Sequence, residues 1–217
     1  MNQDIPKENS LLNIILRQKL LPAVTFSSTD EVLPVTEAIL NGGLNVMEVP
    51  FRTGIAAAAV RIIRNKFPQM FVGAGTLLNT EQARQAVDAG AQFGLAPGFN
   101  HSVCQAALNM EFPFIPGVMT PSEIELAAEM DFKILKFFPA AQLGGVGFLK
   151  ALQEPYEQLN IQFIPMGGVS VKNMSEYLQL KNVIAVGGSW LATREQIESK
   201  QYDKITALVK EALLISK

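Results

Sequence analysis

Short apolar runs rich in Val, Ile, Leu and Phe recur along the chain at residues 22–26, 45–49, 71–74, 92–95, 113–116, 133–137, 162–166 and 183–186. Each is long enough for a strand and too short for a helix. Their centres fall about every 23 residues, and the stretches between them carry helical spacing. Start signals sit where those helices should open: Ser28-Thr29-Asp30, Asn79-Thr80-Glu81, Asn100-His101-Ser102 and Thr120-Pro121-Ser122-Glu123. The last has Pro near a first helical turn and Glu three residues after Thr, a capping-box pattern. Asn41-Gly42-Gly43 and Ala89-Gly90 are the matching stop signals. Strands alternating with helices favour parallel pairing through right-handed crossovers. Eight such units close most simply into a (β/α)8 TIM barrel. An open doubly wound sheet is the alternative, disfavoured because no Gly-x-Gly-x-x-Gly follows the first run. Residues 9–20 predict an amphipathic helix before the first strand, within an N-terminal helical extension over residues 1–20 that closes the barrel floor. Residues 203–217 predict a terminal helix with Ile205, Leu208, Val209 and Leu213 on one face.

The length of 217 residues allows one large domain or two small ones. No linker, charge block or low-complexity stretch divides it, so residues 1–217 are read as a single domain. Apolar residues make up 48% and charged residues 18%, enough apolar mass for a full core. The net charge of −2 gives nucleic-acid binding no electrostatic footing. No apolar run approaches a membrane span, and Asp4 and Glu8 stand where a signal peptide would carry basic residues. A cytoplasmic protein is expected, with neither nucleic acid nor membrane as a partner.

One Cys and one His exclude a disulfide framework and a zinc site with several His or Cys ligands. A His-based triad would have His101 alone, which reads better as an exposed or capping residue. Trp190 reads as packing between the last two helices. No metal and no cofactor is expected. The chemistry must come from Lys, Arg, Asp, Glu, hydroxyls and backbone.

In a barrel the reactive groups lie at the C-terminal ends of the strands. The second strand ends Val46-Met47-Glu48-Val49, followed by Pro50-Phe51-Arg52. Alternation turns Glu48 into the barrel mouth if Met47 and Val49 pack on helices. A Glu48–Arg52 ion pair is the plainer alternative. The sixth strand reads Lys133-Ile134-Leu135-Lys136-Phe137-Phe138. Its two lysines have opposite parity, and Lys136 is nearer the rim. Burying a neutral Lys by lowering its pKa from about 10.4 to near 7 costs roughly 4–5 kcal/mol. That cost is sensible where a neutral amine is useful, as in Schiff-base formation. A Lys136 that snorkels outward is the alternative. The third strand ends Gly73-Ala74-Gly75-Thr76, with a hydroxyl at the rim.

The seventh and eighth strands end in Met166-Gly167-Gly168-Val169-Ser170 and Val186-Gly187-Gly188-Ser189-Trp190. Two glycine pairs here, each leading toward a helix start, match a phosphate site built from free N–H groups, with Ser189 as a further donor. Two tight strand-to-helix turns are the alternative.

Taken together, Glu48-Val-Pro-Phe-Arg52-Thr53, Gly73-Ala-Gly-Thr76, Ala96-Pro97-Gly98, Ile115-Pro116-Gly117, Lys136-Phe-Phe-Pro139-Ala140, Gly167-Gly168-Val-Ser170 and Gly187-Gly188-Ser189-Trp190 are similar to the motifs of one family. From about Leu21 onward the chain resembles the 2-keto-3-deoxy-6-phosphogluconate (KDPG) aldolase / 4-hydroxy-2-oxoglutarate (KHG) aldolase family of Schiff-base class I aldolases. The resemblance implies a (β/α)8 fold and a homotrimer. It implies Lys136 as the Schiff-base lysine and Glu48 as general acid/base. Arg52 and Thr76 would bind the substrate carboxylate, with Pro97 shaping that end and Phe138 lining the pocket. Gly167, Gly168, Gly188 and Ser189 would hold a phosphate. Met166 stands where members often carry Thr, a position associated with hydroxyl stereochemistry near C4. Met cannot donate a hydrogen bond, so the preferred epimer stays open.

The implied enzyme is an aldehyde-lyase acting on a phosphorylated 2-keto acid. It would cleave 2-dehydro-3-deoxy-6-phosphogluconate to pyruvate and glyceraldehyde 3-phosphate, and also 4-hydroxy-2-oxoglutarate to pyruvate and glyoxylate. An aldolase for the 6-phosphogalactonate epimer and a sugar-phosphate isomerase or epimerase on the same barrel are the alternatives. A non-catalytic barrel that binds phosphorylated ligands is a third.

Overall fold

The computed structural model describes residues 11–217. The chain runs α1 (Leu11–Gln18), β1 (Leu20–Pro22), α2 (Val32–Asn41), β2 (Val46–Pro50), α3 (Ala56–Lys66), β3 (Phe71–Gly75), α4 (Thr80–Asp88), β4 (Gly94–Leu95), α5 (His101–Asn109), β5 (Phe114–Ile115), β6 (Gly117–Val118), α6 (Pro121–Glu129), β7 (Ile134–Phe137), α7 (Gly145–Ala151), α8 (Gln153–Tyr156), β8 (Gln162–Pro165), α9 (Met174–Leu178), β9 (Val186–Gly188), α10 (Arg194–Glu198) and α11 (Tyr202–Ile215). The paired strands are parallel: β1 with β9, β2 through β5 in order, and β6 through β8 in order. Single bridges join Ala23 to Glu48, Phe163 to Val183 and Met166 to Gly187. These close the ring, which is a (β/α)8 TIM barrel.

The fifth stave is split into β5 and β6 by Pro116. Proline has no N–H for the ladder, but its carbonyl still accepts from Lys136 N at 2.9 Å. Two staves lie away from the apolar runs that announced them. The first strand is Leu20–Pro22 where residues 22–26 are expected, because the ladder starts on the buried pair Leu20 and Leu21. The last is Val186–Gly188 where 183–186 is expected. Gly187 is a ladder residue, paired with Leu21, and not only a turn. A Cβ on it would lie 2.3 Å from the Leu21 carbonyl oxygen, so only glycine fits there.

Local chemistry sets the helix ends. Asn79 caps α4 by accepting from Gln82 N, and Gly90 turns the chain away with φ +86°. Thr120 and Glu123 form the full capping box of α6. Residues 9–10 of the expected N-terminal helix lie outside the described residues. Of the rest, α1 buries Ile14 and Ile15, and Gln18 donates to Asn45 just before β2 at 2.8 Å. It therefore sits at the N-terminal end of the strands, on the barrel floor. The terminal helix α11 buries Ile205, Val209 and Ala212, with Leu208 and Leu213 half-buried beside them. Arg194 of α10 grips Glu31 with two bonds of 2.9 and 3.0 Å and donates to the Thr25 carbonyl at 3.0 Å. The guanidinium holds the Glu31 carboxyl below the usual carboxylate range. This clasp fixes the loop after β1.

A Cβ at Gly117 would lie 2.3 Å from the Pro97 carbonyl carbon, whereas one at Gly98 meets nothing within 4 Å. Gly117→Ala should cost about 1–3 kcal/mol by overpacking, and Gly98→Ala should stay within about 0.5 kcal/mol of the parent. Urea unfolding compares the two; equal stabilities would overturn the packing argument.

Candidate active site

Strand alternation places the two charged groups. In β2, Val46 and Glu48 share a parity opposite to Met47 and Val49, and all are buried. In β7, Leu135 and Phe137 point to the helices, and the Phe137 ring stacks on Phe148 of α7 at 5.4 Å. Lys136 has the other parity and enters the barrel. Glu48 and Lys136 are 2% and 4% exposed. They meet across the interior, with Lys136 Nζ 3.5 Å from Glu48 Oε1. The amine also lies 5.3 Å from the centre of the Phe138 ring, within cation–π reach. The snorkelling and Glu48–Arg52 alternatives both give way to this pair. Lys133 is half-exposed and pairs with Asp131 at 3.1 Å. The partner of the Lys136 amine is Glu48, supplied by a strand that is not its neighbour.

Glycine makes room for the carboxylate. A Cβ at Gly75, the last residue of β3, would stand 2.5 Å from Glu48 Oε2. That oxygen is buried and has no hydrogen-bond partner among the described residues.

A cavity of about 190 Å³ opens over the pair at the C-terminal ends of the strands. Ala23 and Thr25 line it after β1, and Pro50 and Arg52 after β2. Phe138 lines it after β7, and Met166, Gly167, Gly168 and Val169 after β8. Gly188, Ser189 and Trp190 complete it. Of the expected site residues, only Thr76 and Pro97 stand off this lining. Thr76 is at the rim, where its hydroxyl accepts from Arg52 Nε at 3.1 Å. Its φ of +57° is uncommon for a residue other than glycine. Pro97 packs its backbone against Gly117.

The turn after β8 holds Gly167 and Gly168 at φ +88° and +78°. The N–H of Gly168 has no acceptor among the described residues, while that of Gly167 faces the Gly187 carbonyl across the Met166–Gly187 bridge. The helix expected to follow at once begins only at Met174, and a short 3-10 turn, Ser189–Leu191, follows β9. Any anion here is therefore met by turn amides and not by a long helix. His101 is exposed at the start of α5, which Asn100 caps by accepting from Ser102 N and Val103 N. Trp190 differs from expectation: it lines the cavity. Its place two residues past a strand end was the available signal.

A family model described as KDPG and KHG aldolase matches residues 11–208. The chain belongs to the KDPG and KHG aldolase family. The 2-dehydro-3-deoxy-phosphogluconate aldolase of Treponema pallidum is 39% identical over 206 residues, covering 95% of this chain and 97% of its own. The KHG/KDPG aldolase of Escherichia coli K12 is 38% identical, covering 95% and 96%. Among solved structures, KDPG aldolase from Legionella pneumophila superposes with a TM-score of 0.90 at 35% identity, covering 95% of this chain and 99% of its own. That protein was captured with pyruvate as a covalent carbinolamine intermediate. The KDPG aldolase of Zymomonas mobilis with 3-phosphoglycerate has a TM-score of 0.84 at 33% identity, covering 93% and 94%.

Removing one partner of a buried ion pair strands the other charge. Lys136→Met should therefore cost about 3–5 kcal/mol, and adding Glu48→Gln should recover part of it. Urea unfolding of the parent, both single variants and the double variant measures the coupling. Strictly additive losses would show that the two groups do not interact.

Proposed function

We propose that this chain is a class I aldolase that cleaves 2-dehydro-3-deoxy-6-phosphogluconate to pyruvate and glyceraldehyde 3-phosphate. The same reading extends to 4-hydroxy-2-oxoglutarate, cleaved to pyruvate and glyoxylate. The observation that carries it is the buried Lys136–Glu48 pair at 3.5 Å, in a cavity shared with Gly167 and Gly168. The family membership and the pyruvate carbinolamine of the Legionella relative support the chemistry.

Glu48 takes a proton from the Lys136 ammonium as substrate enters, and the free amine attacks the C2 ketone. Glu48 hands that proton to the hydroxyl of the resulting carbinolamine, and loss of water leaves an iminium beside the Glu48 carboxylate; the iminium draws electrons from C3. Glu48, directly or through a water, takes the proton of the C4 hydroxyl, and the C3–C4 bond breaks. The aldehyde leaves and a pyruvate enamine stays on Lys136. Glu48 returns a proton to C3, and water releases pyruvate. Arg52, oriented by Thr76, grips the substrate carboxylate through charge-assisted hydrogen bonds. The amide of Gly168 takes the phosphate, with Gly167, Gly188 and Ser189 beside it. Phe138 covers the amine, and Met166 walls the middle of the cavity without a donor.

A homotrimer fits this reading. Leu78, Leu108, Met119 and Leu126 are exposed apolar residues on and beside α4, α5 and α6. Sedimentation at three times the 23.7 kDa chain mass is the expected result, and a monomer would overturn it. A cytoplasmic location fits the single cysteine, Cys104, whose thiol burial pushes up to about 11. No described helix is long and apolar enough to cross a membrane.

Borohydride reduction with pyruvate should leave a stable adduct on Lys136; no adduct, or one on Lys133, sinks the assignment. Glu48→Gln should keep part of the adduct while turnover falls about 10²-fold or more. A pyruvate-release assay over the gluconate-derived substrate, its galactonate epimer and 4-hydroxy-2-oxoglutarate ranks the three by kcat/KM.

A further inference from the structure

Among the described residues, two buried side-chain polar atoms have no hydrogen-bond partner: Glu48 Oε2 and Trp190 Nε1. Such orphans are uncommon in folded proteins and call for a cause. Both belong to residues that line the same cavity. One is an acceptor in the reacting pair. The other is the donor-only N–H of an indole that the mechanism above does not use.

Its position says what it would meet. A Cβ on Gly188 would lie 3.1 Å from Trp190 Cδ1 and 3.5 Å from Nε1, so the N–H edge of the ring lies over Gly188. Strand pairing sets Gly187 beside Met166. That brings Gly188 next to Gly167 and Gly168, and the Gly168 N–H has no acceptor among the described residues. The indole donor therefore stands at the end of the cavity that already presents a free amide. The residue as a whole is only part-buried and lies on the cavity lining.

We propose that Trp190 Nε1–H donates to a phosphate oxygen of the substrate and helps the enzyme select phosphorylated over unphosphorylated 2-keto acids. The inference rests on the aldolase reading. An N–H already withdrawn from water, with no protein acceptor to give up, gains its full bond when the anion arrives.

Trp190→Phe keeps an aromatic ring and deletes the donor. With 2-dehydro-3-deoxy-6-phosphogluconate its KM should rise roughly tenfold at unchanged kcat. With 4-hydroxy-2-oxoglutarate, which has no phosphate, both constants should stay within about twofold, as should borohydride trapping of pyruvate. A KM that does not move, or an equal loss of kcat with both substrates, overturns the proposal; the second result would place the N–H at the reacting pair. Trp190 is the only tryptophan in the chain, so its fluorescence is a second readout that needs no variant. Glyceraldehyde 3-phosphate should change the emission saturably, and glyceraldehyde at equal concentration should not. Equal responses overturn the proposal, and if Trp190→Phe fails to fold, this comparison decides alone. Fluorescence needs no turnover. A phosphate-dependent change in a protein that traps no pyruvate would fail the aldolase reading and leave the Trp190 contact standing.

Discussion

Taking an ammonium and a carboxylate out of water costs several kcal/mol per ion, and one contact at 3.5 Å offsets only part of that. Glu48 keeps a second oxygen with no partner among the described residues. The barrel must therefore hold this pair against its own tendency to find water. β2 and β7 are not neighbours, so the two side chains meet only because the ring is closed. Everything that closes the ring, from the bridges at Ala23 and Met166 to the split fifth stave, bears on the geometry of one ion pair.

The glycines show two different ways of serving it. Gly73, Gly117 and Gly187 are ladder residues where a Cβ would strike Phe93, Pro97 or Leu21. They give up strand propensity to let backbone and aromatic rings approach. Gly167 and Gly168 are there for their dihedrals: φ near +80° is open to glycine at no steric cost, and it leaves the Gly168 amide unspent. Thr76 takes a positive φ without that freedom, and its hydroxyl accepts from Arg52. Backbone strain in a residue that orients a charged side chain is common at functional sites.

Much of this was legible in the order of residues. Strand–helix alternation announced the barrel, and the capping chemistry of Asn79 and Thr120 placed helix starts to the residue. The parity of Lys133 and Lys136 separated the surface lysine from the buried one. The pairing of Lys136 with Glu48 was not legible, because pattern along a strand carries no information about what faces it across the ring. The first and last staves slipped for a related reason. Leu20 stood in the expected N-terminal helix and Gly187 in an expected turn, and only the pairing of β1 with β9 makes them ladder members. Trp190 was misplaced because an aromatic after a glycine turn reads as packing, while its cavity-facing role depends on how β9 ends.

In the mechanism proposed above, proton transfer and covalent attachment fall to an amine and a carboxylate, and the pair suits both tasks. At rest, opposite charges satisfy each other in a dry site. When the proton passes from Lys136 to Glu48, two neutral groups remain, the cheaper state in apolar surroundings. When the iminium forms, positive charge returns to the same nitrogen and finds the same carboxylate once Glu48 has given up its proton. The charge alternates between two states the cavity tolerates, and none of the steps proposed here leaves a lone ion buried. A substrate phosphate, by contrast, is never transferred and never changes partner. It needs only fixed donors, which is what turn amides held by glycine dihedrals provide. In the mechanism proposed here the cavity divides into a mobile-proton end, served by Lys136 and Glu48, and a fixed-donor end, served by turn amides and the Trp190 N–H.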